Sequence, residues 1–159
     1  MEQFYGNLIR DVKNRPTFCG IIYCMYWLRS GQIVPLYIGK TERWGTAGSL
    51  SANLNFKRGG PFGRWGYGNY WHMGKLGAGL RGDGTHRDWI ERLFGSSANR
   101  QLRKKTFFAA KPWTHFDRCP CGLRVNVAAL EACLIQNARK YFPHDNLNKG
   151  RGNPNCRCP

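Results

Sequence analysis

Two apolar segments separated by a short break, at residues 19–41, constrain the fold of this chain more than any other part of it. The segments are rich in Ile, Tyr, Val and Trp, which are residue types favoured in strands, and Ser30 and Gly31 lie between them. Two such runs joined by a glycine-containing break predict a β-hairpin. Each predicted strand contains a tyrosine close to a glycine, Tyr23 in the first and Tyr37 in the second.

Three further elements are predicted around the hairpin. Residues 1–15 carry apolar side chains at every fourth position, which predicts an amphipathic helix that ends near Pro16. Residues 106–116 alternate in polarity and predict a third strand. Asn126 is suited to cap the longest helix of the chain, which we predict over residues 127–141.

We expect one domain of 159 residues, with an N-terminal arm at 1–17 and an irregular tail at 143–159. A glycine-rich insertion occupies residues 59–84 and contains ten glycines. Glycine at this density indicates backbone that approaches a partner closely or that moves. Short helices are predicted before and after this insertion, over residues 49–58, 85–94 and 99–105.

The charge of the chain indicates a polyanionic partner. It has 25 Lys and Arg residues against 9 Asp and Glu residues, a formal net charge of +16. With 6 Trp, 7 Tyr and 9 Phe residues, this excess favours nucleic acid over a membrane surface. No apolar stretch approaches the roughly 20 residues that a membrane-spanning helix needs. The N-terminus has no apolar signal region, so we expect a cytoplasmic protein.

The hairpin resembles the defining motif of the GIY-YIG nuclease superfamily. The first strand reads Gly20-Ile21-Ile22-Tyr23, with the glycine one position earlier than in the family, and the second reads Tyr37-Ile38-Gly39. Tyr26 also lies on the first strand and stays a second candidate for the first tyrosine. The resemblance implies an α/β fold with a small, mainly antiparallel three-stranded sheet flanked by helices.

The predicted long helix carries the second point of resemblance. Its sequence LEACLI contains Glu131, and a carboxylate among apolar neighbours is costly unless it is paired or binds a metal. The family has a metal-binding glutamate on such a helix, followed by a proline and an asparagine. Glu131, Pro143 and Asn146 fit these positions, and Asn148 is a second candidate for the asparagine.

The middle block of the family supplies a catalytic arginine. Arg64, followed by His72, resembles the arginine–histidine pair of restriction enzymes of this class, and Arg58 is the alternative arginine. A fixed guanidinium stabilises the negative charge that develops during phosphodiester hydrolysis. The hairpin, the arginine segment and the glutamate helix with its asparagine follow one another in the order found in the family.

The resemblance therefore implies a metal-dependent DNA endonuclease that leaves a 5′-phosphate and a 3′-hydroxyl, in restriction or in defence against mobile elements. Tyr23 would be the general base, Tyr37 its partner near the phosphate, and Glu131 the ligand of Mg²⁺ or Mn²⁺. The nine Asp and Glu residues of the chain are scattered along the sequence, which disfavours a cluster of carboxylates that binds two metal ions. Double-stranded DNA is the expected substrate, and a homodimer would allow both strands to be cut. The expected DNA-binding residues are all basic: Lys40, Arg58, Lys75, Arg81, Arg103 and Lys104.

The cysteines support an alternative from another class. Cys119 and Cys121 form one C-x-C pair, Cys156 and Cys158 form another, and four thiolates could bind Zn²⁺. Structural zinc sites more often use C-x2-C pairs. The alternative is a non-catalytic nucleic-acid-binding module that has this zinc site and stacks its aromatic residues on bases.

Overall fold

The computed structural model describes residues 2–44, 48–51, 54 and 104–148. This part contains two helices and three strands, which confirm the predicted hairpin, third strand, N-terminal helix and long C-terminal helix. The elements in chain order are α1 (Glu2–Asn14), β1 (Phe18–Arg29), β2 (Gln32–Glu42), β3 (Phe107–Thr114) and α2 (Val127–Tyr141). Among the described residues, neither helix is long and apolar enough to span a membrane.

The three strands form one antiparallel sheet in the order β2-β1-β3, as predicted for the fold class. The β1–β2 hairpin turns at Ser30 and Gly31, which both have positive φ angles, 50° and 80°. Two such residues give a turn whose twist matches that of the flanking strands. Some residues away from the turn, the register of the β1–β2 pair shifts between Met25 and Tyr26. Tyr26 therefore faces Pro35, whereas Met25 faces Tyr37.

The sheet has a different helix on each face. On one face, Ile21 and Tyr23 of β1 pack with Ile9 and Val12 of α1. The other face packs against α2, and its core comprises Ile22, Ile38, Trp113, Cys119, Val127, Leu130, Ile135 and Ala138. Successive side chains of a strand point to opposite faces, which explains why neighbouring residues of β1 belong to different clusters.

The ends of α2 are fixed by local hydrogen bonds. The Asn126 side chain accepts a hydrogen bond from the backbone N–H of Ala129 at 2.8 Å, as expected of an N-cap. The helix ends at Phe142, whose N–H donates to the carbonyl of Ala138 at 2.7 Å. The chain then follows the outer edge of β2, where the Leu147 N–H donates to the Leu36 carbonyl at 2.6 Å.

Two glycines of the hairpin are required by close approach. A Cβ atom on Gly39 would lie 2.5 Å from the ring and hydroxyl of Tyr23, its partner across the strands. A Cβ atom on Gly20 would lie 2.5 Å from the Thr41 carbonyl and 2.9 Å from the Val127 side chain. The glycines of the two motif segments therefore let the tyrosine ring and α2 lie directly against the sheet.

The predicted helix over residues 85–94 and the glycine-rich insertion at 59–84 lie outside the described residues. So do most of the predicted helices at 49–58 and 99–105.

A pair of glycine substitutions tests this packing. Gly39→Ala should lower the free energy of unfolding by about 1–3 kcal/mol, because the Tyr23 ring is buried and cannot move away without strain. Gly6→Ala, in α1 with no atom within 4 Å of the new Cβ, should instead stabilise the protein by about 0.5–1 kcal/mol. Urea unfolding of both variants measures the difference, and a Gly39→Ala protein as stable as the wild type would contradict the packing.

Candidate active site

Tyr23 and Tyr37 form a pair on the α1 face of the sheet. Their ring centroids lie 6.2 Å apart, and a side-chain hydrogen bond joins them. Tyr23 is 5% exposed and stacks on Phe108 of β3 at 5.6 Å between ring centroids. The stacking and the close contact with Gly39 hold the Tyr23 ring over β2. The two tyrosines of the hairpin are therefore brought together as a rigid pair.

Glu131 approaches β2 from α2. Its side chain is half-buried, and the backbone N–H of Lys40 lies near enough to lower its pKa. Burial raises the pKa of the Glu131 carboxyl, and the negative charge of Glu42 adds to this rise, whereas Lys40 opposes it. Lys40 is shared, because its amine also pairs with Glu42 at 2.9 Å. The charge of Lys40 thus offsets only part of the effect of burial on Glu131.

Tyr37 and Glu131 interact electrostatically. The pKa of Tyr37 is raised above its usual value chiefly by burial, and the negative charge of Glu131 raises it further. The hydrogen bond with Tyr23 lowers it. Burial and this negative charge therefore keep Tyr37 a neutral phenol at physiological pH.

Tyr26 does not contact the Tyr23–Tyr37 pair. It follows Met25 and precedes Trp27, which are both buried on the α1 face, so its own side chain lies on the opposite face of the sheet. There it stacks on Phe107 with ring centroids 5.4 Å apart. Of the two candidates for the first tyrosine, only Tyr23 contacts Tyr37 in the described structure.

Asn148 makes the hydrogen bonds of an added strand residue. Its side-chain oxygen accepts from the Ile38 N–H at 2.9 Å, and its amide nitrogen donates to the Ile38 carbonyl at 2.7 Å. Asn146 supports this contact, since its side-chain oxygen accepts from the Asn148 N–H at 3.1 Å. The Asn146 amide nitrogen is buried without a hydrogen-bond partner among the described residues. Both candidate asparagines thus lie beside β2, and Asn148 is the one bound to the YIG segment.

Sequence reasoning missed Arg43, which directly follows β2. It is 7% exposed and donates hydrogen bonds to the backbone carbonyls of Arg15 and, at 3.0 Å, Lys13. These carbonyls are at the C-terminus of α1, where a cation also interacts favourably with the helix dipole. Arg43 therefore ties α1 to the hairpin. The sequence contains no spacing signal for this contact, since it joins residues distant along the chain.

Two of the expected DNA-binding residues lie within the described structure. Lys40 faces Glu42 and Glu131, as described above. The Lys104 amine lies 4.9 Å from the ring centroid of Trp27. The other basic or catalytic candidates lie outside the described residues: Arg58, Arg64, His72, Lys75, Arg81 and Arg103.

The first C-x-C pair is joined in this structure as a Cys119–Cys121 disulfide. Zinc binding would use the same two sulfurs as thiolates, so it requires the reduced form. Cys156 and Cys158 lie outside the described residues, and zinc binding by the four cysteines stays a prediction. Among the described residues, no group of three or more His, Cys, Asp and Glu side chains could hold a metal ion.

Comparisons with protein-family models, with curated proteins and with solved structures find no match to this chain.

Asparagine substitutions test which residue fixes the tail to β2. Asn148→Ala should lower the free energy of unfolding by about 1–3 kcal/mol, because both Ile38 backbone groups lose their partner in a buried place. Asn146→Ala removes one hydrogen bond to Asn148 and should cost less. Thermal unfolding of the two variants gives the order, and the reverse order would assign the anchoring role to Asn146.

Proposed function

We propose that this chain is a metal-dependent DNA endonuclease of the GIY-YIG type, which hydrolyses phosphodiester bonds to leave a 5′-phosphate and a 3′-hydroxyl. The observation that carries the proposal is the pairing of Tyr23 with Tyr37, with Glu131 of α2 near enough for its charge to raise the pKa of Tyr37. The resemblance to the family implies that these three residues belong to one active site. Their arrangement in the folded chain supports that assignment.

The tyrosines would have different roles. Tyr37 keeps its proton at physiological pH, because burial and Glu131 raise its pKa, so its hydroxyl can donate a hydrogen bond to a phosphoryl oxygen. Tyr23 would act as the general base that takes a proton from the attacking water. An ordinary tyrosine has a pKa near 10, so such a base needs a neighbour that stabilises its phenolate. The hydrogen bond to Tyr37 is one stabilising contact.

Glu131 fits a single hard divalent cation, Mg²⁺ or Mn²⁺. Its carboxylate is half-buried, and burial together with Glu42 raises its pKa, so a nearby positive charge would be favourable. Oxygen ligands suit these ions, and Mg²⁺ commonly keeps several waters when one or two carboxylates bind it. When bound, such a cation polarises the phosphate and lowers the pKa of water. The nearby Lys40 N–H favours the charged form of Glu131, which is the form that would bind a cation.

The charge of the chain supports DNA as the substrate. The net charge of +16 attracts a phosphate backbone, and Lys104 lies on an aromatic ring where its cation stays available at the surface. Arg64 would stabilise the charge that develops on the phosphate, and Asn146 or Asn148 would hold the tail against the site. We further propose a role in restriction or in defence against mobile elements.

Exchange of one carboxylate tests the proposal. Glu131→Gln should reduce plasmid cleavage in Mg²⁺ by at least about a hundredfold, since a neutral amide cannot replace the charged ligand. Glu42→Gln is the matched control, because it removes a neighbouring carboxylate that pairs with Lys40 and should leave most of the activity. DNA binding in EDTA should be similar for both variants. If Glu131→Gln cleaves like the wild type, the metal role of Glu131 is wrong, and if the wild type binds DNA without cleaving it, the non-catalytic alternative is favoured.

Metal and pH dependence provide a separate test. We expect no cleavage in EDTA and a kcat/KM that rises with pH between about 6 and 9, because the base has to lose a proton. The raised pKa of Glu131 should add to the loss on the acid side, as its carboxylate becomes protonated at a higher pH than usual. The raised pKa of Tyr37 predicts no loss of its hydroxyl proton in this range. Plasmid nicking at fixed metal concentration measures the profile, and full activity in EDTA would exclude the mechanism.

The catalytic arginine can be identified by conservative exchange. Arg64→Lys keeps the positive charge and removes the planar fork, so cleavage should fall about a hundredfold or more while DNA binding weakens only slightly. Arg58→Lys should behave as the loss of an ordinary phosphate contact. Cleavage and filter-binding assays on both variants decide between them, and an inactive Arg58→Lys beside an active Arg64→Lys would move the role to Arg58.

A further inference from the structure

The face of the sheet that carries α2 is only partly covered by that helix. α2 covers the part of this face that contains Ile22 of β1 and Ile38 of β2. From there β1 and β2 continue toward the hairpin turn. The register places the next side chains of β1, β2 and β3 side by side on this face. We call this part of the sheet the open face; its residues are Tyr26, Leu28, Ile33, Pro35, Phe107 and Ala109.

The open face is apolar and accessible. Leu28 is 50% exposed and Ile33 56% exposed, in strand positions where a covering helix would bury them. Between the open face and the last two turns of α2 is a groove of about 470 Å³. Its walls include Tyr141, which is 60% exposed, and its floor includes Cys24 and Ala109. A groove of this size falls in the range of ligand-binding sites.

Flat aromatic rings and cations occur together at this surface. Tyr26 stacks on Phe107 with only 17° between the ring planes. The amine of Lys105 lies 5.1 Å from the Phe107 ring centroid, and that of Lys140 lies 5.2 Å from the Tyr141 ring centroid. Both lysines are exposed. Aromatic rings beside lysines form a surface that can bind flat apolar groups and negative charges at once.

The charges around the open face and the groove indicate which class of ligand would bind there. Neither the open face nor the described lining of the groove contains a carboxylate, and the whole chain has a net charge of +16. A second copy of the chain would place lysines against lysines, which is unfavourable. An acidic peptide could satisfy the lysines but would not need a stacked pair of aromatic rings. Single-stranded nucleic acid satisfies both, since its bases stack and its phosphates pair with cations.

We propose that the open face binds a single-stranded segment of nucleic acid, with bases on Tyr26 and Phe107 and phosphates near Lys105 and Lys140. Stacking between neighbouring base pairs hides the flat faces of bases inside a duplex, so this surface selects unpaired strands. The open face is on the opposite side of the sheet from Tyr23. Strand binding here therefore goes beyond the proposed cleavage and does not depend on it.

Binding in the absence of metal tests this proposal. A fluorescent oligo-dT strand of about 12 nucleotides, a length suited to such platforms, is titrated with the full chain in EDTA, and its anisotropy is measured. Exchange of both rings, Tyr26→Leu with Phe107→Leu, keeps apolar side chains on the strands and should weaken binding at least about tenfold. A strand of equal length without bases should bind the wild type about tenfold more weakly than oligo-dT.

Matched variants separate stacking from folding and from general charge. Tyr26→Phe keeps the flat ring and should bind within about twofold of the wild type, as should Phe116→Leu, which exchanges a 68% exposed ring outside the open face. Lys105→Gln changes an exposed side chain without altering the core and should reduce the salt dependence of binding by about one unit of slope. Circular dichroism melting confirms that each variant is folded.

Four results would overturn the proposal. They are equal binding of the strand without bases, wild-type binding by the double variant, equally strong competition by an acidic peptide of the same charge, and loss of a dimer in the double variant during sedimentation. The last two would assign the face to a peptide or to a second copy. Because cleavage needs metal and this assay contains none, failure of the proposed nuclease activity would leave these outcomes unchanged.

Discussion

The outer edge of β2 is the feature on which the rest of this structure depends. An edge strand leaves alternate backbone N–H and carbonyl groups without partners. Here the tail of the chain fills neighbouring positions: Leu147 at the Leu36 carbonyl and Asn148 at both groups of Ile38. These hydrogen bonds protect the edge strand and fix the tail beside the segment that contains Tyr37.

The second constraint is the absence of a side chain at Gly39. The Tyr23 ring occupies the place where a Cβ atom would be, and stacking on Phe108 fixes it there. The ring therefore lies over the second strand, and its hydroxyl comes within hydrogen-bonding reach of Tyr37. Two residues of the YIG segment, Tyr37 and Gly39, thus act together, one as a hydrogen-bond partner and the other by providing space.

Local patterns predicted the elements of the described structure well, whereas contacts between distant residues could not be read from them. The apolar run of β1, the alternation of β3, the turn at Gly31 and the cap at Asn126 depend on near neighbours and were confirmed. The sequence left Tyr26 and Asn148 open as alternatives. Strand alternation separates Tyr26 from the site, but only the path of the tail along β2 distinguishes Asn148 from Asn146. The role of Arg43 depends in the same way on tertiary contacts.

The electrostatics of Glu131 bear on the proposed metal site. Burial disfavours the charge of Glu131, Lys40 offsets part of this effect, and Glu42, which also pairs with Lys40, adds to it. A core helix gains nothing from such a residue, because an apolar side chain at the same position would be cheaper to bury. The strain is relieved by a positive charge placed next to the carboxylate. A cation there would lower the pKa of Glu131, weaken its repulsion of a Tyr phenolate, and so make the tyrosine pair easier to deprotonate. The unfavourable charge in the free protein and the proposed chemistry are consequences of the same placement.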